Sequence, residues 1–111
     1  MKSIEYECPF EIALEIMAGK WKGLILWHLC QKIYRYSELK REINGITQKM
    51  LTQNLRMFED KGIISRKVYP QIPPKVEYSI TPLGKKIEPI LVMLQDWGRE
   101  IAKENNINCK Y

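Results

Sequence analysis

Apolar residues recur along this chain at helical spacing, switch to strand-like runs past the middle, and return to helical spacing at the end. Phe10, Ala13, Leu14 and Met17 fall at i, i+3, i+4 and i+7, which predicts a first helix over about residues 9–18. Pro9 suits its first turn and Gly19 its end. From Trp21 to Lys32 a second helix is apolar almost all round, as expected at the centre of a small core. A third, short helix is expected after Ser37, with Ser37 as its N-cap and Glu38 favourably placed in the first turn. Asn44-Gly45 supplies a turn, because both residues tolerate positive φ. A fourth helix follows, capped by Thr47 and stopped at Gly62. Neither Ser37 nor Thr47 has Glu or Gln three positions on, so neither makes a full capping box.

The fourth helix separates its faces by chemistry. Leu51, Leu55 and Phe58 lie on one side; Lys49, Thr52, Gln53 and Arg56 lie on the other. After Gly62 the period shortens: residues 63–69 and 76–80 read as two strands, joined by a stiff Pro70-Gln71-Ile72-Pro73-Pro74-Lys75 loop. Two strands and a projecting loop after a helix-turn-helix form a wing. Thr81-Pro82 then opens a final helix, whose apolar residues Ile87, Ile90, Leu91, Leu94, Trp97 and Ile101 extend over more than four turns. The expected fold is mostly α with a small β-wing, in the order α-α-α-α-β-β-α, forming one domain over 1–111. The helix-turn-helix spans about 37–61 and the wing about 63–80. The last apolar stripe exceeds what so small a core needs. It predicts a homodimer through helices at about 9–18 and 82–104, with packing back on the same core as the alternative.

Charge sharpens this picture by its placement. Between Lys40 and Lys75 eight cations face three acids, while the remainder has ten of each sign, so the whole net charge of +5 sits on the proposed reading head. That asymmetry favours a polyanionic partner. No apolar run approaches the roughly 18–20 residues of a membrane span. Met1-Lys2-Ser3-Ile4-Glu5 lacks the apolar core of a signal peptide, so a cytoplasmic location is expected. Cys8, Cys30 and Cys109 are odd in number and far apart, which argues against a zinc site or a disulfide framework. Cys30 falls within an apolar helix, while Cys8 and Cys109 lie near the two ends. His28 has no second ligand at metal spacing and reads as a packed histidine; no metal or cofactor is expected. There is no phosphate loop, nucleophile elbow or acid–base constellation, and the glycines never cluster as a cradle, so no enzyme is expected.

The chain resembles the HxlR-type transcription regulators, a winged-helix group related to the MarR regulators. The resemblance rests on Cys8-Pro9, Gly19-Lys20-Trp21-Lys22, Arg35-Tyr36-Ser37-Glu38-Leu39 and the run from Gly45 to Gln53. It continues through Pro73-Pro74-Lys75-Val76-Glu77-Tyr78, Thr81-Pro82-Leu83-Gly84 and Trp97-Gly98. Seven segments in order at matching intervals are specific where any one is weak. The resemblance implies a dimeric winged helix that binds operator DNA, with Thr47 to Lys61 as recognition helix and Pro70 to Lys75 as wing tip. It also implies a redox- or electrophile-sensing role for Cys8. If the end helices pair in a dimer, Cys8 of one copy is expected to approach Cys109 of the other, with a pair of idle thiols as the alternative.

On this reading Gln48, Lys49, Thr52, Gln53 and Arg56 project into the major groove of double-stranded DNA. Gln can pair with adenine, and Arg or Lys with guanine. Ser37, near a helix N-terminus, suits a phosphate, and Lys75 rides on the wing. Two copies expect a pseudo-palindromic operator with half-sites about 34–36 Å apart. The rival is a winged helix that binds protein instead of DNA, which would not require a cationic, acid-poor face from Lys49 to Arg56. A small-molecule effector stays open.

Overall fold

The structure, a computed structural model, describes residues 5–110. The reading of the N-terminus rests largely on Met1 to Ile4, which lie outside the described residues. Six helices and three strands follow one another as α1 (Pro9–Met17), α2 (Lys22–Gln31), β1 (Tyr34–Arg35), α3 (Tyr36–Glu42), α4 (Gln48–Asp60), β2 (Ile64–Tyr69), β3 (Lys75–Ile80), α5 (Pro82–Lys85) and α6 (Glu88–Glu104). The core gathers Ile25, Leu26 and Leu29 of α2 with Leu39 of α3 and with Leu51, Leu55 and Phe58 of α4. Ile63, Ile64 and Leu91 complete it from the wing base and from α6. As the spacing predicts, α2 is central, although Leu24 faces outward.

The sheet has the order β1-β3-β2, antiparallel throughout. Tyr34 pairs with Tyr78, and Ile64 with Ile80 at the wing base. The two-residue β1 is not expected from the sequence, because two residues are too few for alternation to show. It ties the start of α3 to the wing.

Two glycines permit the turns at either end of α4, and a third permits a close approach. Gly45, at φ +89°, reverses the chain between α3 and α4, and Gly62, at φ +74°, ends α4. Gly84 matters for space: a Cβ there would sit 2.1 Å from the Ile63 carbonyl oxygen. Thr81 holds the same corner, donating its hydroxyl to the Gly62 and Ile63 carbonyls and accepting from the Gly84 N–H.

Two expectations are corrected. The short helix begins at Tyr36, with Arg35 and not Ser37 as its N-cap. The Glu38 carboxylate accepts from the Arg35 N–H at 2.8 Å and so sets the cap two residues earlier. The final helix is also not continuous from Pro82, since it breaks at Lys86-Ile87 into α5 and α6. Pro89 has no N–H to give to the Lys85 carbonyl, and its ring crowds that oxygen, so the helix must restart.

Candidate nucleic-acid interface

Helix α4 is set by its cap and by its buried side. Thr47 accepts from the Met50 N–H at 3.1 Å, as its place before the helix predicts. Leu51, Asn54, Leu55 and Phe58 are buried, with Leu51 and Phe58 wholly enclosed. Burying Leu51, Leu55 and Phe58 fixes the helix's rotation, and with it the direction of the other face. Gln48, Lys49, Gln53 and Arg56 are exposed and Thr52 is half-buried. These five side chains line one shallow groove of about 540 Å³. The sequence-predicted reading residues on α4 thus come together.

Their electrostatics differ from those of neighbouring cations. Among the described residues Lys61 is 3.8 Å from Glu15, Arg66 is 3.2 Å from Glu59 and Lys75 is 3.5 Å from Glu77. Lys49 and Arg56 make no such pair among the described residues. Neither charge is therefore neutralised by a direct contact among the described residues, although Glu59 lines a cavity together with Arg56.

The wing tip is organised around Tyr69. The ammonium groups of Lys67 and Lys75 lie 4.8 and 4.7 Å from its ring centroid. Its hydroxyl donates to Glu77 at 2.6 Å. That bond, helped by Lys75, holds the Glu77 carboxyl below the usual carboxylate range. Lys75 therefore stands in a local cluster and not in the α4 groove. Ser37 is exposed in the first turn of α3, also outside that groove.

A second cavity, about 350 Å³, opens between α4 and the sheet. Tyr36, Glu59, Arg66 and Tyr78 line it beside Thr52 and Arg56. Tyr36 is the feature that sequence reasoning missed: its hydroxyl donates to the Gln48 carbonyl at 3.0 Å and lies 3.0 Å from the Thr52 hydroxyl. No periodicity signals such a bond, because Tyr36 lies sixteen residues from Thr52.

The cysteines divide by environment. Cys30 is buried, and burial pushes its thiol up and away from reactivity. Cys8 and Cys109 are exposed, Cys8 at the start of α1. His28 packs edge-on to Tyr34 at 5.9 Å between ring centroids. No described helix is long and apolar enough to cross a membrane.

Residues 16–106 match the HxlR-like helix-turn-helix family. A protein named as a regulator, MalR of Fusobacterium mortiferum, is 53% identical over 97 residues, covering 86% of this chain and 92% of its own. The HTH-type transcriptional regulator YtcD of Bacillus subtilis is 49% identical across 100% of this chain and 84% of its own length. A solved structure of ytcD superposes with a TM-score of 0.80 at 50% identity, covering 86% of this chain and 98% of that one. The redox regulator HypR in its oxidised form gives a TM-score of 0.78 at 45% identity, covering 84% and 96%. These relatives are transcriptional regulators, not enzymes, and their fold is the winged helix described above. The chain belongs to the HxlR-like helix-turn-helix family of transcriptional regulators.

Proposed function

We propose that two copies of this chain bind a pseudo-palindromic DNA operator, each laying α4 in a major groove. The observation that carries the reading is the pairing of a buried apolar anchor with an exposed face of Gln48, Lys49, Thr52, Gln53 and Arg56 on one rigid helix. Lys49 and Arg56, unpaired by acids among the described residues, are suited to phosphate or guanine; Gln48 and Gln53 are suited to adenine. Ser37 and Lys75, which do not line that groove, are suited to backbone phosphates. A protein-docking face would not require this unbalanced charge.

The second copy is supported by α6. Met93 is 71% exposed and Trp97 61%, on a helix that buries only Leu91. Apolar side chains this large and this open, alongside exposed Phe10 and Leu14 of α1, favour a twofold partner. A redox response through Cys8 is the finer part of the reading. It is supported by the exposed thiol and by likeness to HypR, which is titled a redox regulator. Treatment with diamide tests this response: two thiols form one disulfide, and their two protons and two electrons pass to the diazene. A band that stays monomeric on non-reducing gels, with Cys8 unmodified, removes it.

The main test is a duplex-binding titration across salt concentrations. Binding should weaken steeply with salt, and Arg56→Ala should cost at least about tenfold and flatten the slope by about two units, one for each copy. No association with any duplex at low salt would transfer the protein to the interaction reading.

A further inference from the structure

We propose that Tyr36 is a specificity-determining residue: it accepts a hydrogen bond from the Thr52 hydroxyl and so leaves Thr52 only acceptor lone pairs toward DNA. The argument is proton bookkeeping. Tyr36 has one hydroxyl proton and two oxygen neighbours, the Gln48 carbonyl and the Thr52 hydroxyl, each at 3.0 Å. The carbonyl has no proton, so its contact is a hydrogen bond only when Tyr36 donates. The contact with Thr52 must then use the proton of Thr52. The alternative leaves two oxygens facing each other at 3.0 Å with nothing between them.

Thr52 lines both the cavity that holds Tyr36 and the outer groove with Lys49 and Gln53. It therefore shows the groove lone pairs and a methyl group, but no donor. A free threonine hydroxyl reads either kind of base edge. One fixed as acceptor is satisfied only by an amino group, at adenine N6 or cytosine N4. It disfavours guanine and thymine at that position, whose major-groove heteroatoms are acceptors only. Tyr36 thus acts at a distance, positioning a proton and not touching the base. Its other bond, to the Gln48 carbonyl, also fixes the N-terminal turn of α4 against α3.

This inference rests on α4 being the DNA-reading helix. Its test is selection of bound duplexes from a randomised half-site library by the wild type, Tyr36→Phe, Thr52→Val and Thr52→Ser. The wild type and Thr52→Ser should share a preference of about fivefold, worth one neutral hydrogen bond, for adenine or cytosine at one position per half-site. Thr52→Val should lose that preference alone. Tyr36→Phe should relax it toward guanine and thymine, because the freed hydroxyl can rotate and donate outward. Circular dichroism confirms that each variant is folded. Tyr36→Phe selecting the same bases as the wild type overturns the proposal, as does a wild-type preference for guanine or thymine at the position that Thr52→Val alters. Failure of the wild type to enrich any sequence instead overturns the DNA-reading role of α4 itself.

Discussion

Helices α4 and α6 are both amphipathic, yet the fold treats their apolar faces in opposite ways. In α4 that face is sealed: Leu51, Leu55 and Phe58 lie in the core, Met50 and Met57 pack half-buried against it, and the fully exposed side chains are all polar. In α6 it is mostly open: Leu91 reaches the core, while Ile90, Met93, Leu94, Trp97 and Ile101 stay exposed. The contrast teaches how a helix's outer chemistry names its partner. A sealed helix has satisfied its hydrophobic demand and offers hydrogen bonds and charge, which fit a polyanion. An open one still has apolar surface in water, and a second identical helix is the simplest cover.

Substitutions on the two helices should separate folding from assembly. The largest effect is expected from Phe58→Ala, which empties a fully enclosed site and should cost about 3–5 kcal/mol, read as a lowered urea midpoint. If α4 were loosely held, the loss would fall near the 1 kcal/mol typical of substitutions generally. Trp97→Asp should act next most strongly and on a different quantity. Helical content should persist, while self-association measured by sedimentation should weaken at least 30-fold, as for an interface hot spot of about 2 kcal/mol. Unfolding of the Trp97 variant at concentrations where the wild type is monomeric would mean that Trp97 supports the single chain, and the contrast would fail.

The smallest effect concerns pH and the wing. The Glu77 carboxyl is held low by Tyr69 and Lys75, so its folded pKa is depressed. Such a group stabilises at pH values above its unfolded pKa, about 4, and that contribution is lost as pH falls through the lower folded value. Amide exchange across Val68 to Lys75, corrected for intrinsic rates, should quicken as pH is lowered through and below the usual carboxylate range while α4 stays protected. Glu77→Gln should remove the pH dependence. Equal protection of wing and α4 across that range would show that the Tyr69 cluster does not hold the wing.

Much of this architecture was legible beforehand because it depends on spacing and local backbone chemistry. Thr47 caps α4, Gly45 and Gly62 adopt positive φ, and the two wing strands pair near where alternation predicts. The five α4 groove residues could be grouped for the same reason: a regular helix converts sequence separation into direction. What failed did so where two local rules compete or distance intervenes. Ser37 is a good cap by type, but Glu38 reaching back to Arg35 moved the start of α3. Pro89 split a stripe whose periodicity continued through it. Lys75 looked like a free wing cation until cross-strand register set it against Tyr69 and beside Glu77.

The sequence by itself determined the helical faces, the turns and the concentration of positive charge between residues 40 and 75, since each follows from neighbours along the chain. Tertiary structure alone decided which cations are left unpaired, which apolar stripe is covered, and that Tyr36 meets Thr52. These depend on approach between residues that the chain holds far apart, and only packing of the core brings them within hydrogen-bond or ion-pair reach.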